Sequence, residues 1–458
     1  MQQSKITQMT TAPVEKLVTS LALPTIFSML ITTFYNMADT YFVGQMQNTS
    51  ATGGVGVILP VMAVIQAFGF FFGHGSGNFI SRSLGSGNRK ESEIMASTGF
   101  FSALIFGLLI LSIGLLFAPS LVWLLGATET IAPYALDYMR IILLGAPLMM
   151  ASLVLNNQLR FQGSASYAMI GITVGGLLNI ALDPLFIFVF NLGIAGAAWA
   201  TICGQAVSFT ILFFMGRRGE NIRIKLKNFK PKWYYIQEMS GGGLPSLLRQ
   251  GLNSFAVIAL NTMARAIGGD AAIAAMSIVS RIMMFAVSTT IGFGQGFQPV
   301  CGFNYGAKCY DRVLKAFWFS VKVSACFLTV MAVVAITFAP QLVSLFHTDL
   351  TKPDVIPIGA FALRMQAIAL PFLSWLFMSN MMLQTIKRTG PASFLAMARQ
   401  GLFFIPAILT LPHFLGLFGI QIAQACADLV AVICAIPIQV KVLKEFKNLI
   451  REQEVKNS

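Results

Sequence analysis

Three carboxylates sit well inside long apolar runs of this chain: Asp39, Asp183 and Asp428. A charge in hydrocarbon is costly unless it is paired, protonated or facing water, so each is a functional candidate by position alone. Asn179 lies one helical turn before Asp183 and on the same face. Counted at 1.5 Å per residue, Asp39, Asp183 and Thr201 all lie roughly 6 to 10 Å inside the outer ends of their runs. Two carboxylates, an amide and a hydroxyl at one depth suit either a proton shared between the carboxylates or an oxygen-ligated Na+. The alternative is that these groups satisfy one another as hydrogen bonds between helices. Ionised Asp39 and Asp183 would attract a lipophilic cation and lose that attraction on protonation, the reciprocal effect an exchanger requires. Asp428 has Arg281 at similar depth, which predicts a second polar pair of Asp428 with Arg281, or Asp428 facing water.

The elements that must position these residues follow from composition. Of 458 residues, 56% are hydrophobic and 10% charged, which describes an integral membrane protein. The charged, Gly-marked and Pro-marked breaks predict an all-α membrane protein of twelve transmembrane helices, at 17–43, 54–81, 94–118, 134–156, 167–190, 194–216, 239–265, 272–302, 314–339, 357–383, 391–411 and 420–442. A barrel would need alternating strands, and these runs are apolar throughout. The run 17–43 is too long for a signal-peptide core and has no small-residue cleavage pattern after it, so it is expected to stay as the first span. With the N-terminus inside, the inner segments hold 23 of the 31 Lys and Arg, and the outer loops hold only Lys352. Both termini are therefore expected in the cytoplasm, with the protein a multi-pass component of the plasma membrane. Those inner segments also account for the net charge of +14, so the basicity implies the lipid bilayer as partner and no nucleic acid.

The longest polar segment divides the chain into residues 1–216, a linker at 217–238, and residues 239–458. Two six-helix lobes that begin on the same side are expected, pseudo-symmetric about an axis along the membrane normal. Internal identities support a duplication: adding 221 carries Leu23, Pro24, Phe34, Ala51, Gly73, Gly75 and Gly85 onto Leu244, Pro245, Phe255, Ala272, Gly294, Gly296 and Gly306. A shift of 224 carries Arg140 and Pro147 onto Arg364 and Pro371. Pro24 frees a backbone carbonyl early in the first span, which permits bending or is an inert kink. Six cysteines form no CxxC pair and are expected to be small core residues. His74, His347 and His413 have no ligand-type spacing and receive no role.

No phosphate-binding P-loop occurs, since Gly85, Gly87 and Lys90 do not make one. Nor is there a metalloprotease or Ser/His/Asp pattern or a catalytic domain outside the membrane, so the protein is expected not to be an enzyme. No cofactor is expected beyond H+ or Na+ as coupling ion, because transport here has to draw on an ion gradient.

Pro24 followed by FYNMADTYFVG (34–44), the loop LGSGNRKE (84–91), LLNIALDPLFIF (177–188), FNYGAKCYDRV (303–313) and RQGLFFIP (399–406) together resemble the multidrug and toxic compound extrusion (MATE) family over essentially the whole chain. The Asp183 segment is most similar to MepA-like members of its DinF branch. The resemblance implies a V-shaped exporter whose lobes rock around a central cavity, expelling amphipathic, often cationic small molecules in exchange for H+ or Na+, with antibiotic resistance as the outcome. It places Asp39, Asn179, Asp183 and Thr201 in a cation-coupling site and Pro24 in a bending first helix. Spans 7 and 10 lack the coupling acids of NorM-like members. A monomer is expected. The alternative is a lipid-linked oligosaccharide flippase of the same superfamily, since seven Lys or Arg lie within spans. An intramembrane enzyme or a receptor would need a catalytic dyad or a ligand domain that the chain does not show.

Overall fold

Helices account for nearly all of the structure, a computed structural model that describes residues 2–46, 48–346 and 354–457. His347 and Lys352 lie outside the described residues, as do the side chains of Lys5 and Lys456. Among the described residues there is no strand, and 11 helices are long and apolar enough to cross a membrane. One of these, Trp233–Gly306, is two spans in series: Gly269 interrupts it at φ 60° and ψ −152°, a conformation that is essentially glycine's own. The twelve expected spans are thus all present, numbered here 1 to 12 in chain order. Several run past the apolar stretch that predicts them, as in Thr49–Gly85, Ala132–Phe161 and Leu417–Asn457. Hydropathy marks where lipid ends, whereas the backbone keeps its helical hydrogen bonds until a residue breaks the geometry. Short helices at Gln2–Thr11, Ala118–Leu124 and Ala339–Phe346 lie outside the spans.

The breaks recur at the spacing the sequence identities suggest. Gly87 is left-handed at φ 79° and Lys308, 221 residues later, at φ 59°; Gly163 at φ 77° is matched 224 residues later by Lys387 at φ 63°. The closing hydrogen bonds recur with them: the amides of Asn88 and Cys309 donate to the carbonyls of Ser83 and Asn304, both at 2.9 Å. Farther along, the Asn156 amide donates to Ala168 O at 3.2 Å and the Asn380 amide to Ala392 O at 2.6 Å, again 224 apart. A left-handed residue closes a helix by satisfying its last carbonyls. The second half keeps that closure with lysine at a cost of roughly 1 kcal/mol per residue.

The two six-helix halves meet most closely at their basic ends. A Cβ on Gly85 of span 2 would lie 2.1 Å from Phe303 O of span 8, and one on its counterpart Gly306 would lie 2.0 Å from Arg82 O. Only hydrogen fits at either point. Beside this crossing, Arg82 donates to Thr385 O at 2.6 Å and to Glu238 at 3.1 Å, and Lys387 also pairs with Glu238. Glu238 is buried, so one carboxylate holds cations from both halves. The N-terminal helix adds a strap: Arg312 donates to Ala12 O at 2.6 Å and Asn304 to Met9 O at 3.1 Å. The molecule is therefore closed at its basic end.

Because two backbones touch at Gly306, Gly306→Ala is expected to push the inner ends apart and cost about 1 to 3 kcal/mol. Thermal unfolding in detergent should show a lower midpoint, while Gly390→Ala, where a Cβ meets nothing within 4 Å, should leave the midpoint unchanged.

Candidate functional site

Above the closed end, a cavity of about 500 Å³ lies between the halves. Its wall mixes Met and Phe side chains with many amides, among them Asn36, Gln66, Asn179, Gln250 and Asn380, and includes Thr201. Among the described residues, three side chains on it carry charge, Arg160, Arg249 and Arg399, and no carboxylate lines it.

The first-half candidates gather where spans 1, 5 and 6 pack tightly. Gly175 of span 5 and Gly204 of span 6 lie face to face, each so placed that a Cβ would meet the other's carbonyl oxygen within 3 Å. Gly176 packs on the side chains of Ile31 and Tyr35 of span 1, each 3.2 Å from where a Cβ would lie. Small residues let these backbones approach, and that approach brings Asp39, Asn179, Asp183 and Thr201 together. Span 5 changes to a π-helical turn at Leu185–Val189, directly after Asp183 and Pro184, a distortion common at functional sites. Asp183 is fully buried and Asn179 nearly so. Both Asp183 carboxylate oxygens, both Asn179 amide atoms and Asp39 Oδ1 are buried without a hydrogen-bond partner. The Thr201 hydroxyl donates to Ala197 O at 3.1 Å, leaving its lone pairs free. Asp39 and Asp183 lie within electrostatic reach of each other and of the Tyr138 hydroxyl. These groups do not satisfy one another, contrary to the reading as interhelical hydrogen bonds. Buried oxygens without donors suit a cation, either a proton on a carboxylate or a sodium ion among the oxygens.

In the second half the structure corrects the expected pair. Asp428 binds Arg399, with Nε to Oδ1 at 2.9 Å, and takes a further hydrogen bond from Gln424 at 2.7 Å. Arg281 is exposed on span 8 and makes no bond to Asp428. Depth counted along a helix cannot say which helix lies next to it: span 12 packs on span 11, where Arg399 sits in a second π-helical turn at Ala398–Phe403. The guanidinium also lies over the Phe377 ring at 5.4 Å.

Comparison with known proteins decides the family. The MatE family profile matches residues 24–185 and again 245–409. The chain belongs to the MatE family. Its two MATE matches begin 221 residues apart and end 224 apart, the offsets that the repeated turns obey. The MepA multidrug export protein of Staphylococcus haemolyticus is 29% identical over 419 residues, 90% of each chain. An outward-facing multidrug resistance MATE transporter superposes with a TM-score of 0.90 at 27% identity, over 96% of this chain and 98% of that one. A MOP superfamily transporter from Pyrococcus furiosus, described as having a binding pocket of reversed polarity, also superposes with a TM-score of 0.90, at 26% identity and over 96% and 98% of the two chains.

One cluster in this MATE transporter escapes sequence reasoning. Arg160 counts there as an inner-loop charge and His74 has no role, yet Arg160 is 1% exposed inside span 4. It donates to Asn157 at 2.5 Å, to His74 Nε2 at 3.1 Å and to Gln295 of the other half. The polar run Asn156 to Gln162 reads as a loop because hydropathy cannot distinguish a solvated turn from a polar helix end buried in protein.

Removing one member of a buried pair strands the other charge. Asp428→Ala should therefore lower stability by about 3 kcal/mol. Asp428→Ala/Arg399→Ala should recover part of that loss in thermal unfolding, and Asp428→Ala/Arg281→Ala should recover none.

Proposed function

We propose that this MATE transporter is a cation-coupled multidrug efflux antiporter, exporting amphipathic compounds in exchange for H+ or Na+ held by Asp39, Asn179, Asp183 and Thr201. The observation that carries this reading is the set of buried oxygens without partners beside a cavity. A group of this kind is costly while empty and is relieved by one positive charge, so it gives a gradient something to bind. Asn179 and Thr201 line the cavity while Asp39 and Asp183 do not, so the cation site opens onto the cargo space without filling it.

Exchange requires cation and cargo to favour different states of the protein, since a ligand with equal affinity for both shifts nothing. Span 1 is suited to link them. It carries Pro24, which leaves the Ser20 carbonyl without its helical donor, and Asp39 farther along the same helix. Bending there, with the halves 1–216 and 239–458 rocking about the linker 217–238, would open the closed basic end and shut the other. The concentration of Lys and Arg at that end supports cytoplasmic termini in a plasma membrane. A single chain encloses the whole cavity, which supports a monomer. The kinship with MepA supports a role in resistance to antibiotics. A lipid-linked oligosaccharide flippase is the second reading, favoured by the arginines on the cavity wall.

Asp183→Asn should keep the fold and abolish gradient-driven transport, because a neutral amide neither cycles a proton nor balances Na+. Dye efflux from proteoliposomes under separately imposed pH and Na+ gradients tests this and identifies the ion. Wild-type rates for Asp183→Asn under both gradients would reject the site.

A further inference from the structure

The sign of the cavity wall points to a cargo that the acids of the sequence do not suggest. The attraction expected between Asp39, Asp183 and a lipophilic cation requires those carboxylates to face the cargo, and neither is on the wall. The charges that are there are positive. Arg399 is neutralised by Asp428. Arg160 is held only by uncharged partners, Gln295, Asn157 and His74, and its buried Nε has no partner at all. Arg249 makes no hydrogen bond or ion pair among the described residues and lies close enough to Arg160 for the two guanidiniums to repel. His74 faces the same pair, and no carboxylate hydrogen-bonds either arginine. Two uncompensated guanidiniums are thus left on the wall of one cavity. An anion between them would remove the repulsion and take up donors that nothing else uses. The surrounding amides can donate to the same group, while Met29, Met283, Met284, Phe70 and Phe377 offer an adaptable apolar surface.

We propose that the cavity binds amphiphilic organic anions, with the anionic group between Arg249 and Arg160 and the apolar body against the Met and Phe side chains. The proposal rests on the exporter reading and specifies its cargo. A bound anion and a cation at Asp183 attract, so their exchange depends on the two being held by different states of the halves and not on mutual repulsion. The anionic group is a carboxylate, sulfonate or phosphate, carried by a free amphiphile or by an anionic lipid.

The test uses the full chain in phosphatidylcholine nanodiscs and two dyes with a common xanthene core, carboxyfluorescein (anionic) and tetramethylrhodamine methyl ester (cationic), followed by fluorescence anisotropy. Carboxyfluorescein is expected to bind at least about tenfold more tightly than the rhodamine ester. Arg249→Gln should weaken the anion by about tenfold, the loss of one charge-assisted contact, and should not weaken the cation. Arg249→Lys should keep part of the anion affinity, and Arg249→Glu should reverse the preference. Equal or tighter binding of the rhodamine ester by the unaltered protein, or carboxyfluorescein affinity unaffected by both Arg249→Gln and Arg249→Glu, overturns the proposal. Because the first comparison needs no variant, misfolding of one does not protect it. Repeating the titration with phosphatidylglycerol in the nanodiscs, at about 0.3 M salt so that surface charge is screened, distinguishes the sources. Displacement of the dye identifies a lipid anion as the occupant, and retention identifies the free amphiphile. Gradient-driven efflux from proteoliposomes separates the two layers. If the rhodamine ester is exported and carboxyfluorescein does not bind, the anion assignment falls and export stands. If carboxyfluorescein binds through Arg249 and neither dye moves under any gradient, the exporter reading falls and the anion site stands.

Discussion

Lipid offers no hydrogen bonds, and the rest of this structure depends on that constraint. It forces every span to be a helix that satisfies its own backbone, and it makes any polar atom left over conspicuous. Most buried polar groups here find partners: Gln384 donates to Gly242 O and to Ser246 at 2.8 Å, and Gln158 donates to Ser76 at 3.0 Å. Against that background the oxygens of Asp183, the amide of Asn179 and Oδ1 of Asp39 stand out as a concentrated exception on one side of the cavity. Spans 1, 5 and 6 could be joined by any apolar packing. They are joined through glycines that hold two carboxylates and an amide close together with none of their hydrogen bonds made, an arrangement that suits the cation proposed above.

Duplication and divergence explain why the halves differ in chemistry while agreeing in shape. The offsets of 221 and 224 that match turn to turn carry Asp39, Asn179 and Asp183 onto Leu260, Phe403 and Ala407, so this polar cluster has no counterpart in the second half. In the other direction, Arg399 and Asp428 fall on Gly175 and Gly204. Where the first half brings spans 5 and 6 together through two glycines, the second joins spans 11 and 12 through an ion pair. Arg249 falls on Ser28 in the same way, and both line the cavity. The first half has thus kept its acids off the cavity wall, while both halves place bases on it, Arg160 from the first and Arg249 and Arg399 from the second.

The spans, their duplication and the buried carboxylates Asp39 and Asp183 are legible in the sequence because each has a one-dimensional signature: an apolar run, a repeated Gly or Pro, a carboxylate where none is cheap. The partners of Asp428 and Arg160 are not. Depth favours Arg281 over Arg399, which lies about 6 Å farther from the outer end, and only the packing of span 12 on span 11 brings Arg399 to Asp428. Arg160 lies at the end of an apolar run, where a charge ordinarily meets water, and its burial depends on the Gly-mediated closeness of the two halves. Sequence patterning reports the environment along a helix axis, while the identity of neighbours is set around it.

The arginines on the cavity wall also bear on how the membrane potential enters the transport cycle. Exchange of one exported monocation for one imported proton moves no net charge, so voltage does no work on it. Export of a monoanion for one proton carries two charge equivalents inward. At about 2.3 kcal/mol per charge per 100 mV, an inside-negative potential of that size would add roughly 4.6 kcal/mol to each turnover, enough for a gradient of more than a thousandfold at equilibrium. A sign change at two side chains would then convert an electroneutral exchanger, limited by the pH difference, into an electrogenic one that keeps working when the pH difference has collapsed.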